Sequence, residues 1–312
     1  MIKKIMKMTL VLALSLSLVL SLVSCGNEEG YKPQTKAQAI PEGLLVSEGV
    51  LKIGVDGLNN SPFAGVLNGE MIGLDIDIAA AVADSLGLKL EVVDVGSEVD
   101  VPIKNATVDI VMGVKKSHES NFASFVSDPY IQGATTFFSL NEGAALPAVG
   151  TPTKIAAQAS STSAWEVTKN YGKESLVTAS TLKEAFDMLA RGDVDFVVSE
   201  LVIGLYALQS LDVDMYPIGV LTAGQGYSFA IAKEKADLLG YISQAFSDNK
   251  AGGMFAKIES KWLGAPVNIE SLPVALSPAP EAAPEEEPPA EKDPAEKDPA
   301  EKDPAEKAPA DA

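Results

Sequence analysis

Val108-Asp109-Ile110-Val111-Met112-Gly113-Val114-Lys115-Lys116-Ser117-His118-Glu119-Ser120 opens as a short apolar run and closes as a polar loop. The run has the composition of a strand buried in a parallel sheet. Gly113 ends it, and Lys115, Lys116, Ser117, His118 and Glu119 follow at once. Open α/β sheets place their ligands at the carboxyl ends of strands. The loop is therefore the first candidate wall of a binding site. The competing reading is an ordinary strand-to-helix connection with both lysines in solvent.

Working back from this strand, Val50–Val55 reads as another strand, with the loop Asp56–Phe63 at its carboxyl end and a turn signal at Asn68-Gly69. Asp75 has the character of a helix N-cap. Ile78, Val82 and Leu86 recur at four-residue spacing, and Gly87 stops the helix. A strand within Leu88–Val95 and a short helix near Asp100–Thr107 complete a β-α-β-α-β run, the pattern of a doubly wound sheet.

Forward from it, Ser127-Asp128-Pro129-Tyr130 redirects the chain. An extended segment Ala134–Leu140 then leads into a second run of the same kind. Its strands are Lys154–Gln158, Leu176-Val177 and Val194–Ser199. Its helices open at Ser160–Ser163, where Ser163 and Glu166 have capping-box spacing, and at Thr181–Glu184. Glu200 follows the last of these strands and begins a helix to Leu208. After Gly224-Gln225-Gly226 come the alternating strand Tyr227–Ala232 and two more helices. Met254, Ile258 and Trp262 look like the core-facing stripe of the second.

The two ends differ in kind from this body. Lys3, Lys4 and Lys7 precede an apolar stretch, Thr9–Val23, which is short for a membrane span and fits a secretory signal. It runs into Leu22-Val23-Ser24-Cys25-Gly26, which resembles the bacterial lipobox. Cys25 is the single cysteine of the chain, so no intrachain disulfide forms, and the thiol stands where a lipid would be attached. At the other end, Glu291–Lys307 repeats Glu-Lys-Asp-Pro-Ala almost without fault. Such a segment cannot bury a core. Ser271–Ala312 carries 12 acids and 4 lysines, a net of −8, which leaves −11 of the total −19 for the rest. Both parts are acidic, which argues against nucleic acid as a partner. His118 is the single histidine, so a multi-histidine metal site is excluded.

Gly73-Leu74-Asp75-Ile76-Asp77-Ile78-Ala79, Val108-Asp109-Ile110 and Phe125-Val126-Ser127-Asp128-Pro129-Tyr130 come in an order that resembles the first lobe of extracellular solute-binding proteins (family 3) of amino-acid-type ABC importers. Ala156–Thr162, Gly192–Val198 and Lys257–Gly264 agree with the second lobe and the family's ending. The resemblance spans about Leu51 to Gly264. It implies an α/β, two-lobed periplasmic-binding-protein-like fold (type II), each lobe a doubly wound sheet, joined by two crossing strands and closing by a hinge. The implied division is a lipoprotein signal peptide at 1–24 and an anchor linker at 25–46. Lobe 1 takes 47–133 and 226–269, lobe 2 takes 134–225, and a disordered acidic tail takes 270–312.

The resemblance also indicates a site, and the departures from it matter. The family's arginine, which clamps a ligand carboxylate with a bidentate fork, falls at Ser120, a residue that cannot do this. Its first aromatic falls at Asn59 or Asn60 and its second near Gly96 or Ser97. The acid that holds the ligand ammonium is present as Glu200. The helix start that offers amides to an anion is kept as Ser161, Thr162 and Ser163. Lys115, two residues after Gly113, is placed to supply a point charge in place of the missing guanidinium. The expected ligand-binding set is Asn60, Gly113, Lys115, Ser120, Ser161, Thr162, Ser163 and Glu200, with lipidation at Cys25 and no catalytic residue, cofactor or metal.

What the resemblance implies is a monomeric, lipid-anchored receptor on the outer face of the cell membrane. It captures a small polar or anionic solute and passes it to a permease and ATPase. A sensor or structural lipoprotein with a degenerate site is the first alternative. A dehydratase on the same fold, using Glu200, Glu119 or His118 as acid or base, is the second.

Overall fold

The computed structural model describes residues 36–275 except Asn59, Gln225 and Val267. The expected signal segment, Cys25 and the repeat tail from 276 onward lie outside the described residues. Among the described residues no helix is long and apolar enough to cross a membrane.

Two five-stranded mixed sheets organise the chain. In the first, β1 (Val50–Val55) lies between and parallel to β4 (Lys89–Asp94) and β5 (Ile110–Lys115). Antiparallel β12 (Tyr227–Ile231) pairs β5, and β6 (Phe125–Val126) closes the order β4-β1-β5-β12-β6. A small hairpin, β2 (Gly65–Leu67) with β3 (Glu70–Ile72), stands apart. In the second sheet, β8 (Ile155–Gln158) is parallel to β9 (Leu176–Ala179) and β10 (Phe196–Glu200). Antiparallel β7 (Ala134–Ser139) and β11 (Tyr216–Ala223) complete the order β11-β7-β10-β8-β9. The chain passes between the sheets twice, from β6 to β7 and from β11 to β12.

The helices are α1 (Leu74–Ser85), α2 (Asp100–Lys104), α3 (Thr162–Tyr171), α4 (Leu182–Arg191), α5 (Leu201–Leu208), α6 (Ala236–Ala251) and α7 (Met254–Leu263). α6 and α7 return to pack on α1, so the first lobe is completed by the C-terminal part of the folded body. Phe229, Phe246 and Phe255 form its aromatic centre, with ring centroids 4.8 and 5.8 Å apart. In the second lobe Phe138 meets Phe186 edge-on at 5.3 Å. The two edge-to-face pairs, Phe246–Phe255 and Phe138–Phe186, match the ring quadrupoles and add to plain area burial.

The sheets correct the sequence reading at several points. The strand that opens at Ile110 does not stop at Gly113. It runs on to Lys115 through a bulge, with Gly113 at φ +74 taking the left-handed conformation that glycine accepts without cost. The polar loop is a 3-10 turn, Lys116–Asn121. Asp75 is not a cap: it is buried in the first turn of α1, behind Gly73. Ser161, not Ser163, caps α3, accepting from Ala164 N–H at 3.1 Å. The buried face of α7 is Phe255, Ile258 and Leu263, while Met254 is exposed. Trp262 is half-buried and donates from Nε1 to Asp77 Oδ2 at 2.7 Å.

Both boundaries of the body move outward. Ile40 and Leu45, read as part of a linker ending at 46, are core residues of the first lobe. Buried Asp109 ties this segment down, accepting from Val46 N–H at 2.8 Å and Lys52 N–H at 2.9 Å. Residues 270–275, read as tail, close the second sheet instead. Ile269–Ser271 is a 3-10 turn, and Val274 bridges Val220 in parallel.

Candidate ligand site between the two sheets

A cavity of about 290 Å³ lies where the two sheets meet. The first lobe supplies Lys115 and Ser117 from the end of β5 and Tyr227 from the start of β12. The second supplies Thr135, Gln158, Val198, Ser199 and Glu200 from strand ends, Ser161–Ser163 from the start of α3, and Leu182 and Ile203 from α4 and α5. Gly133, Gly224 and Gly226 of the crossing segments form part of its wall.

Strand pairing sets the first-lobe side. Lys115 and Tyr227 are register partners. The Lys115 side chain leaves the sheet edge exposed, its Nζ 6.0 Å from the Tyr227 ring centroid. Tyr227 is buried, its ring 4.1 Å from that of Phe63. Lys116 has a different task. Its Nζ donates to Val126 O at 2.9 Å and pairs with Glu119, which fastens the 3-10 turn.

The second-lobe side is built around two helix starts. Ser161 Oγ donates to Gln158 O at 2.7 Å while capping α3. The N–H groups of Thr162 and Ser163 have no partner among the described residues, as expected of a first helical turn. Such a pair favours an anion. Glu200 caps α5, its Oε2 accepting from Ile203 N–H at 3.0 Å, while Oε1 is buried with no close hydrogen bond and the Tyr227 hydroxyl is the side-chain donor nearest the carboxyl. Burial pushes the Glu200 carboxyl up to about 7, and the Ile203 amide, the Lys115 ammonium, the Val202 amide and the Tyr227 hydroxyl offset only part of this. Burial, reinforced by the charge of Glu200, holds the Tyr227 hydroxyl protonated well above its ordinary range.

Five of the expected site residues, Lys115, Ser161, Thr162, Ser163 and Glu200, thus line one cavity. Asn60, Gly113 and Ser120 do not. Ser120 is exposed on the 3-10 turn. Gly113 and Asn60 sit behind the site. Gly113 N–H donates to Tyr130 Oη at 2.9 Å, and Tyr130 donates on to Asp75 Oδ1 at 2.6 Å. A Cβ at Gly113 would stand 2.9 Å from Asp75 Oδ2 and 3.3 Å from Asn60 Nδ2, so only glycine fits. His118 and Glu119 are exposed on the same turn and away from the cavity. Sequence reading missed Tyr227, Gln158, Thr135 and Ser199. Only Tyr227 carried a usable signal, as the first residue of a strand directly after a glycine-rich crossing.

Asp75 gives this frame a pH signature. Burial pushes its carboxyl up from 3.8 to about 7, against the favourable Tyr130 hydrogen bond. The folded chain therefore binds this proton more tightly than the unfolded chain. Stability is greatest below the unfolded value and falls as pH rises toward the folded one. For this group the loss between pH 5 and 7 is about 2 kcal/mol. Asp75→Asn keeps an acceptor for Tyr130 and cannot ionise. Urea denaturation at both pH values is expected to show that loss in the wild type, diminished by about this amount in the variant. An identical pH slope in both proteins would refute the assignment.

Two α/β sheets joined by two crossings, with a cavity at the junction that carries charged and hydrogen-bonding groups from both sides, define a two-lobed binding protein. The profile of the bacterial extracellular solute-binding proteins, family 3, matches residues 51–265, and the chain belongs to that family. Solved structures agree in fold. An ancestral cationic amino acid solute binding protein is 26% identical, covering 70% of this chain and 97% of its own, with a TM-score of 0.57. A polar amino acid ABC uptake transporter substrate binding protein from Streptococcus thermophilus is 24% identical (70% and 88% covered, TM-score 0.60). The L-cystine solute receptor of Neisseria gonorrhoeae, in an unliganded open conformation, is 19% identical (70% and 95% covered, TM-score 0.61). No curated protein matches the chain.

Proposed function

We propose that the protein is the lipid-anchored, extracytoplasmic receptor of an ABC import system, holding a small polar or anionic solute between its lobes. The observation that carries this reading is the shared cavity, where Lys115 of one lobe and the unpaired α3 amides and Glu200 of the other line the same space. A solute that engages both sides favours lobe closure, because it binds the closed state better than the open one. The acylated cysteine would be Cys25, following a signal segment at 1–24. Family membership and the transport relatives support the import partnership. Of the three candidates for a dehydratase acid or base, His118 and Glu119 are absent from the cavity lining, which leaves Glu200 alone for that reading.

A thermal-shift screen of amino acids, carboxylates, amines and short peptides tests the reading. A true ligand at a hundredfold excess over Kd is expected to stabilise the fold by about 2.7 kcal/mol. No shift with any class would favour a sensor or structural lipoprotein.

A further inference from the structure

A second cavity, of about 170 Å³, lies between the lobes on the other side of the first crossing. Gly133 lines the cavity described above, whereas the preceding Gln132 lines this one. α5 divides its residues in the same way. Glu200 and Ile203 face the front cavity, and Leu201, Val202 and Leu205 line the rear one. Leu263, at the end of the first-lobe helix α7, and Ile269 complete the rear lining.

The chain leaves α7 at Gly264, φ +87, and a second-lobe side chain reaches across to meet it: Gln209 Nε2 donates to Leu263 O at 3.1 Å. Asn268 then caps the 3-10 turn Ile269–Ser271, its Oδ1 accepting from Glu270 N–H at 3.1 Å. Ile269 is half-buried and packs on the core. Beyond the turn the chain reaches the outer edge of β11. Val220 N–H donates to Pro273 O at 2.8 Å, and Ala275 N–H donates to Val220 O at 2.7 Å. Ala275 packs on the second-lobe cluster that holds Phe137 and Leu221. Asn268–Ala275 thus joins the lobes a third time, and it supplies nothing to the front cavity. The family profile ends at 265, before this run begins.

Crossings that stand between a front and a rear cleft act as a fulcrum. Rotation that narrows the front cavity draws α5 away from Leu263 and Ile269, or peels Pro273–Ala275 from β11. Either motion gives up buried apolar area or paired backbone groups. These contacts weigh on the open side of the equilibrium, and a solute has to outweigh them with contacts of its own. We propose that Asn268–Ala275 is a strap across the rear of the hinge that holds the cleft open until a solute closes it. The inference rests on the proposed closure of the lobes around a solute and adds what sets its resting point. Apparent affinity falls with the fraction of molecules in the binding-competent state, so the strap also sets how tightly the cavity holds its solute.

Double electron–electron resonance across the front of the cleft, with no solute present, tests this. The spin labels go on Ser120→Cys and Lys183→Cys, exposed residues near Ser117 and Leu182 of the cavity lining, in the full chain carrying Cys25→Ser. Ile269→Ser combined with Ala275→Pro removes the apolar contact and the Ala275 donor together. The closed-to-open ratio is expected to be about 1:10 or lower in the labelled parent. It is expected to rise about tenfold in the double variant, read as a new population at shorter distance, for the loss of one backbone hydrogen bond and part of one apolar side chain. Glu270→Ala, an exposed change in the same turn, should keep the parent distribution. If the double variant does not fold, Ala275→Pro alone carries the test from the sheet edge. Strap variants whose distances stay unchanged or lengthen overturn the inference, and so does an equal shift in Glu270→Ala. Because no solute takes part, such a failure leaves the receptor reading to the thermal-shift screen.

Discussion

Lys115→Ala is expected to weaken binding of an anionic solute by about 10- to 150-fold, the 1.5–3 kcal/mol of a charged hydrogen bond. Lys115 is the cation that lines the cavity, and it forms no ion pair among the described residues. At close range in a partly desolvated cleft, one such charge dominates the electrostatics of an anion. Lys116, next in sequence, is the matched control. Its ammonium is spent on Val126 O and Glu119, within the 3-10 turn. Lys116→Ala should therefore leave affinity within about twofold while lowering stability by about 1 kcal/mol. Calorimetric titration of both variants decides the matter. Equal losses of affinity would show that the turn, rather than one charge, makes the contact.

Gly226→Ala is expected to destabilise the fold by about 3 kcal/mol or more, while the same exchange at Gly240 stabilises it by up to about 1 kcal/mol. Gly226 has φ +76, and a Cβ there would run into the carbonyl oxygen of Ile131 and stand 2.9 Å from Pro129 Cβ. The obstruction is backbone, so no side chain can swing away to relieve it. Gly226 also precedes Tyr227, whose N–H donates to Ile131 O at 2.9 Å, so the clash falls on the crossing itself. Gly240 lies inside α6, exposed, with nothing within 4 Å of its would-be Cβ. Urea denaturation of both variants measures the contrast. A stabilised Gly226→Ala would mean that the two crossing segments do not hold the approach described.

The fold was legible because its signals are local and redundant. The buried run at Ile110, the four-residue spacing in α1 and the capped start at Thr181 each stand on neighbouring residues. The site was legible only where it sits on such an element: Lys115 on a strand end, Ser161–Ser163 at the start of α3, Glu200 at the start of α5. Tyr227 was hidden because it reaches Lys115 through antiparallel pairing across nearly half of the folded chain. Thr135, Gln158 and Ser199 were hidden because a small polar residue at a strand end looks the same whether it lines a cleft or a loop. Asp75 misled for a physical reason. An acid in the first turn of a helix reads as a cap, and only the tertiary fold shows it buried against the hydroxyl of Tyr130. Ile40 and Leu45 were lost because the larger apolar residues there, Ile40 and Leu44–Val46, are too few and too unevenly spaced to give a periodicity.

The 3-10 turn Lys116–Asn121 contributes no buried residue to the core, whereas Asp75, Tyr130 and Gly113 behind it are locked by burial, hydrogen bonds and steric fit. Evolution therefore meets two unequal targets in the same wall. The rear frame tolerates almost no change without loss of folding. The exposed turn can exchange an arginine for Ser120, or shift the working charge to the exposed end of β5 at Lys115, at little thermodynamic cost. Ligand preference in this lineage is free to drift while the scaffold stays fixed.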